Sequence, residues 1–425
     1  MKIVRFFFML LPLILLLLSC SDIYSKKGNV VYTTYSASTR ITQYEDSIFP
    51  RFKKQYPKIE ITRKKQEPQK VLFEAPSFLK STKGAGIISF RNEKMLFTIS
   101  QSNLIMELSD VWHRENWAKT LLPAFQNPNP LTEKHYFLPV SWEWYGIFYR
   151  PSVFETHNIK EPKNWIEFLT ICKTLKKAGL TPLAIGTRYN WPASQWFDYL
   201  TLRMHGSTYY KKLISGAASF HSEEIQNVFQ IWKQLIRKGY FISDSDTYSW
   251  EDSIKQTAEK QAAMVLSSSA IQKYWPYQHR NDLSFFAFPD MQRTPDINPG
   301  EIIPMNGYVI SASVINASTE DAGAARRVLA YLGSKEAQTE RVRSTGNLPT
   351  RKDVPTSRLS DMQKKALPIA TETQQGFPPF MRTFPRSFSD KALRLFADFV
   401  KDPDNIPIPE LTRTLQEYYT QESSE

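Results

Sequence analysis

The chain has 425 residues, long enough for two or three domains and a sizeable core that needs no staples. With 41% hydrophobic residues, 23% charged residues and a mean hydropathy of −0.41, it is neither a multi-span membrane protein nor a largely disordered one. Lys and Arg number 54 against 42 Asp and Glu, a net +12 that permits a polyanionic partner without requiring one, and two cysteines exclude a disulfide framework.

In chain order, Lys2 and Arg5 precede an apolar run from Phe6 to Leu18. That run is too short for the roughly 20 residues of a membrane-spanning helix, and with the small residues after it the pattern predicts an export signal. Its end, Leu17-Leu18-Ser19-Cys20, resembles the bacterial lipobox. The resemblance implies cleavage before Cys20, a diacylglycerol on its sulfur, and attachment to the cell membrane on the periplasmic or extracellular face. Two lipid chains anchor firmly, so no spanning helix is required. The expected signal covers residues 1–19, a polar tether covers 20–29, and the exported chain keeps a charge of +10.

Residues 30–32 predict a first strand, 33–38 a polar loop, 47–56 an amphipathic helix stopped by Pro57, and 58–62 an alternating strand. Strand, helix, strand at this spacing is a βαβ unit and predicts a parallel sheet. Residues 138–149 form a long extended apolar stretch. Asn164 and Glu167 then start a helix that Gly179 ends, and 183–186 resume a strand. Apolar residues at 165, 168, 169, 172 and 175 make a helical stripe, so Cys172 reads as a buried, inert thiol. Further helices are expected at 194–204, 222–238, 250–259 and 320–332. Two α/β units joined by a long extended crossover predict two lobes.

The stretch His135-Tyr-Phe-Leu-Pro-Val-Ser-Trp-Glu-Trp-Tyr-Gly-Ile-Phe-Tyr-Arg150, followed by residues 153–168, resembles a region of bacterial extracellular solute-binding proteins of the maltose-binding type. Four more blocks follow in the family's order. They are 255–269 with its Ala-Ala-Met, Ser284-Phe-Phe-Ala-Phe-Pro289, Gly307-Tyr-Val-Ile-Ser-Ala312 with 319–333, and Thr345-Gly-Asn-Leu-Pro-Thr350. The resemblance covers about 300 residues. It implies a type II periplasmic-binding-protein-like α/β fold, with two lobes and hinge crossovers. Residues 30–138 with 296–345 form the expected first lobe, and 139–295 with 346–425 the second. Three departures stand out: Arg150 replaces an Asn, Gln261 replaces a Gly, and Ser269-Ala270 stands where maltose-type members have a stacking Trp.

A sugar presents hydroxyls and apolar C–H faces, so its site needs carboxylates, amides and guanidinium groups for the first and aromatic rings for the second. The resemblance puts a ligand carboxylate at Glu143. On an alternating strand either Glu143 or the pair Trp142 and Trp144 faces the cleft, and family position favours Glu143. Asn190 and Trp191 follow a strand, Trp275 lies five residues after the lost stacking position, and Tyr35 follows the first strand at its carboxyl end. Arg91 and Asn306 complete the candidate set. Core packing is the competing reading for each of these residues, and Arg91 or Arg188 keeps an anionic sugar in play.

There is no phosphate-binding loop, no Gly-x-Ser-x-Gly elbow and no paired-histidine metal motif, so no enzyme activity, cofactor or metal is expected. The Asp244–Asp246 and Asp402–Asp404 stretches lack the turn Gly and terminal Glu of a calcium loop. The expected function is a lipid-anchored, monomeric substrate-binding component of an ABC importer that takes an oligosaccharide by hinge closure and docks on permease subunits. Nucleic acid is not an expected partner. The alternative is a surface lipoprotein of the same fold acting as an adhesin or sensor subunit.

Overall fold

The computed structural model describes residues 27–34, 39–66, 75–82, 86–90, 96, 99–126, 134–291, 307–373 and 375–423. Its strands are β1 (Gly28–Thr34), β2 (Ile59–Lys65), β3 (Ile87–Phe90), β4 (Leu138–Tyr149), β5 (Thr181–Ala184), β6 (Ala262–Ser268), β7 (Ser284–Phe286) and β8 (Gly307–Ile315). The principal helices are α1 (Thr39–Gln55), α2 (Trp165–Lys177), α3 (Trp191–Ile214), α4 (Glu223–Arg237), α5 (Trp250–Ala258), α6 (Ile271–Tyr274), α7 (Ala322–Leu332) and α8 (Lys335–Thr345). They continue with α9 (Asp361–Glu372), α10 (Phe380–Thr383), α11 (Arg386–Lys401) and α12 (Ile408–Ser423).

The predicted βαβ unit is present: β1 pairs in parallel with β2 and with β3. The strands run in the order β2-β1-β3-β8-β4-β6-β5, with β7 beside β4. The apolar stretch at 138–149 is the strand that joins the two halves of this sheet. Its first part, Leu138 to Trp144, pairs antiparallel with β8, and its second part, Tyr145 to Tyr149, pairs with β6 and β7. The block at 345–350 clamps the start of this strand. Asn347 Nδ2 donates to Ser141 Oγ at 2.9 Å, and Thr350 Oγ1 donates to the Pro139 carbonyl at 2.9 Å.

Two clusters of buried apolar side chains result. The first gathers β1, β3, the even-numbered residues of β4 from Leu138 to Phe148, and α7, and runs on to α5, α6 and Phe285. It also takes Leu348, Val354, Leu359, Ala366, Leu367 and Ala370, which the sequence division groups with the second lobe. The second gathers Tyr145, Ile147 and Tyr149 of β4 with α2, α3, α4 and the C-terminal helices α10 to α12. Much of the chain's phenylalanine is spent here, as in the stack of Phe197 on Phe396 at 4.8 Å.

Local signals explain the helix starts. Asn164 Oδ1 accepts from the Glu167 backbone N–H at 2.9 Å and caps α2, and Ser222 caps α4. The expected helix at 194–204 is longer than its pattern: Pro192 opens it at Trp191, and it runs through a break at Gly206, whose φ of 77° leaves the helical region. Cys172 is buried on α2 as expected, and burial raises its thiol pKa well above the ordinary value.

Candidate functional site

Side chains on β4 alternate between its two faces. Trp142 and Trp144 enter the first core, where they pack against Phe125 at 5.5 Å and Phe285 at 5.9 Å between ring centroids. Glu143 falls on the opposite face, the one that Tyr145, Ile147 and Tyr149 continue into the second core. The carboxylate therefore stands where one core gives way to the other. It is only 5% exposed, yet it makes no hydrogen bond or ion pair with any described residue. A carboxylate that no described side chain occupies is left to accept from donors that a ligand brings. Strand register sets Glu143 beside Tyr308 of β8. On its other side β6 ends, and the Ser269 N–H donates to the Trp144 carbonyl at 2.7 Å.

A group of rings lies beyond this end of β6. The loop after β5 is fastened to the segment before α5: Thr187 N–H donates to the Ser245 carbonyl at 2.8 Å and Arg188 N–H to the Tyr248 carbonyl at 3.0 Å. Gly186 is needed for this approach, since a β-carbon there would meet the Ser249 carbonyl oxygen at 2.0 Å. The result sets Trp191, first residue of α3, against Trp250, first residue of α5, with ring centroids 5.7 Å apart. Trp191 is half-buried and touches both cores. Trp250 is held by its Nε1 donating to Ser267 Oγ at 3.1 Å, and Tyr274 stands edge-on to it at 4.9 Å. Tyr274 and Tyr189 are 50% and 63% exposed, so the group offers open ring faces.

Charge at this loop is already partnered. Arg188 pairs with Asp252 at 3.7 Å and also donates to the Thr247 carbonyl. Hydrogen bonds from the Ser249 backbone N–H and hydroxyl hold the Asp252 carboxyl below the usual carboxylate range, with Arg188 adding to them.

The structure places Glu143 on β4 at the border of the cores and Trp191, with Asn190 next to it, at the start of α3. Asn190 has a φ of 62° and precedes α3 without capping it, which leaves its amide uncommitted there. Trp275 is a correction. Its ring is 2% exposed in the first core, with Nε1 donating to the His279 carbonyl at 2.9 Å. Successive residues of a helical turn point about 100° apart, so only one of Tyr274 and Trp275 faces out, and the larger apolar ring takes the core. Tyr35, Arg91, Asn306 and the lipidation candidate Cys20 lie outside the described residues. Sequence reasoning missed Trp250 and Tyr274. The Ser249-to-Asp252 capping box that starts α5 on a Trp was visible, but its pairing with Trp191 depends on the loop contacts above.

The departures from the family pattern have structural answers. Arg150 is buried, its Nε 2.7 Å from Asp282 Oδ2, and it also donates to the Ala258 carbonyl. Asp282 accepts from the Ser152 N–H at 2.9 Å and hydroxyl at 2.6 Å as well; burial pushes its pKa up, and these donors bring it below the usual range. Gln261 follows Lys260, whose φ of 62° makes the turn between α5 and β6. In the stretches that resemble calcium loops, Asp246 pairs with Lys401 at 2.6 Å and Asp404 with Arg237 at 2.8 Å.

An interrupted α/β sheet crossed by long strands, with a carboxylate and ring faces at the junction, defines a solute receptor of the periplasmic-binding-protein-like type II fold. The chain belongs to the family of bacterial extracellular solute-binding proteins, whose model matches residues 47–369. Members are exported receptors and not enzymes. An uncharacterized ABC transporter extracellular-binding protein of Pyrococcus horikoshii is 25% identical over 270 residues, 62% of this chain and 58% of that protein. A probable sugar-binding periplasmic protein of Mesorhizobium japonicum is 25% identical over 172 residues, 38% of this chain and 40% of that one. The chain thus spans about half the length of the curated relatives it matches.

Among solved structures, the bacterial solute receptor AcbH, described as exclusive for β-D-galactopyranose, superposes with a TM-score of 0.82 at 20% identity, covering 95% of this chain and 98% of that one. The apo form of RafE from Streptococcus pneumoniae gives 0.75 at 16% identity, covering 93% and 98%. These likenesses establish the fold.

Proposed function

We propose that this chain is the substrate-binding component of an ABC importer, lipid-anchored through Cys20, that takes a carbohydrate between its two lobes. Glu143 carries the reading: it lies on the crossover strand at the border between the cores and makes no hydrogen bond or ion pair with any described residue, while the Trp191–Trp250–Tyr274 rings stand at the end of neighbouring β6. The carboxylate accepts from sugar hydroxyls, and the rings cover C–H faces. Permease and ATPase subunits supply transport, so no covalent step is asked of this chain. An oligosaccharide suits a ring group that extends from Tyr274 to Tyr189, and a raffinose complex is described for RafE, which shares the fold. A single galactopyranose, as described for AcbH, is the smaller alternative.

Closure follows from the crossovers. Contacts made from both halves only when they approach shift the population toward a closed form, by as much as those contacts are worth. A thermal-shift screen of the exported chain against neutral and acidic sugars tests the reading. A hit at a hundredfold excess over its Kd stabilises the fold by about 2.7 kcal/mol. The proposal stands if the hit also contracts the protein in solution scattering and weakens in Glu143→Gln. It fails if no sugar raises the melting temperature.

A further inference from the structure

The chain's positive charge is not evenly spread. Residues 27–65 hold nine Lys and Arg against three Asp and Glu, a net +6 out of the whole chain's +12. They fold into one edge of the molecule, made of β1, α1 and the edge strand β2. Part of this charge is neutralised locally: Arg51 pairs with Glu336 and Glu340, Lys53 with Glu60, and Arg63 with Asp46 at 2.6 Å. Lys27, Lys54, Lys58 and Lys64 are exposed and make no ion pair with any described residue.

The first described residue lies here too. Gly28 N–H donates to the Lys58 carbonyl at 3.1 Å, which sets the first described residue, Lys27, next to Lys58 and to the end of α1 that carries Lys54. Ahead of it in sequence lie the tether and Cys20. Lysines on an edge strand do protect it from pairing with other chains, and that accounts for Lys64. It does not account for Lys27, Lys54 or Lys58, which lie off the strand. The opposite edge strand, β5, has the sequence Thr-Pro-Leu-Ala and no cation at all.

We propose that this cationic edge rests on the anionic headgroups of the membrane that holds the protein, so that the receptor is seated edge-down by its own lysines. The proposal rests on the export and anchoring reading above. A lipid tether confines the chain near the surface, and the lysines around Lys27, the first described residue, fix which face meets it. Basic residues at an anionic bilayer each raise partitioning about fivefold, and the attraction fades within a Debye length of roughly 8 Å in physiological salt.

The test uses the chain from residue 21 onward, which lacks the lipid and keeps every described strand and both cores. Co-sedimentation is measured with phosphatidylcholine vesicles and with vesicles containing a quarter phosphatidylglycerol. The expected result is binding to the anionic vesicles only, lost in high salt. Lys54→Gln, Lys58→Gln and Lys64→Gln singly each weaken it about fivefold, and the triple Glu variant weakens it more than about a hundredfold. Lys211→Glu with Lys212→Glu, exposed on α3, leaves it unchanged. Unaltered circular-dichroism melts show that the variants fold. Equal binding by the triple variant, equal loss from the α3 pair, or no binding by the unsubstituted chain overturns the proposal. So does displacement by soluble polyphosphate at matched phosphate, which would assign the edge to a free polyanion instead. Acylation of Cys20 is read separately by the mass of the exported protein's N-terminus, so failure of the anchor and failure of the edge are distinguishable.

Discussion

Glu143→Gln separates a ligand-binding carboxylate from a structural one. The substitution keeps size and shape and removes the charge. In the free protein Glu143 makes no hydrogen bond or ion pair with any described residue, so the substitution breaks no described contact. Removing the charge leaves the unliganded fold about as stable as before. Binding moves the other way. A hydrogen bond to a charged acceptor is worth about 1.5–3 kcal/mol and a neutral one about 0.5–1.5, so each sugar hydroxyl that Glu143 accepts loses about 1–2 kcal/mol. One such hydroxyl predicts an affinity lowered about five- to thirtyfold, and two a loss of about thirty- to several hundredfold. Isothermal titration with the sugar from the screen measures the affinity, and a denaturant melt without ligand measures the stability. The reasoning is refuted if the variant binds within twofold of the parent chain while its unliganded stability falls by more than about 2 kcal/mol, because Glu143 would then be a core residue with a structural partner.

The rings give a paired test. Trp191→Ala is expected to weaken sugar binding at least tenfold with a modest loss of stability, since Trp191 is half-buried. Trp250→Ala removes a buried indole with a hydrogen bond and is expected to cost about 3–5 kcal/mol by chemical denaturation. Asp198 predicts a pH dependence. Burial raises its carboxyl from 3.8 to about 7, against bonds from Tyr210 and the Phe380 N–H that favour the ionised form. The folded chain holds this proton while the unfolded chain releases it. The contribution is therefore present below about pH 4 and is lost as the pH rises toward 7, by at most about 4 kcal/mol. Urea melts at several pH values should show this decline, and Asp198→Asn should remove it. Arg150→Ala strands the Asp282 charge and should destabilise by about 3–5 kcal/mol, a loss that calorimetry can read. Cys172 should resist a thiol reagent in the native protein and react on unfolding, as its burial on α2 requires.

The local and periodic features of this protein were legible in its residues. Alternation showed β2, apolar runs showed β1 and the long β4, the cap at Asn164 showed where a helix starts, and the stripe through Cys172 showed which face goes inward. Ordered family blocks implied the fold. The alternation around Glu143 also reduced the site to two choices, the carboxylate or its flanking tryptophans. The choice itself is tertiary, because a strand's two faces are equivalent until something packs on them. Phe125 and Phe285 take the tryptophans, which turns Glu143 toward the border between the cores. The same holds for the rings. Nothing local distinguishes Tyr274 from Trp275, and only the core beneath α6 buries one and exposes the other. Trp191 and Trp250 are 59 positions apart, and the hydrogen bonds from Thr187 and Arg188 to the segment before α5 make them neighbours. The C-terminal helix α11 carries its own helical stripe, Phe388, Leu393, Phe396 and Val400 among it, but the surface of α3 and α4 that its phenylalanines match exists only once the chain is folded. Charge was countable from the start, but its concentration on one edge depended on β2 being outermost in the sheet, a matter of strand order that no stretch of sequence records.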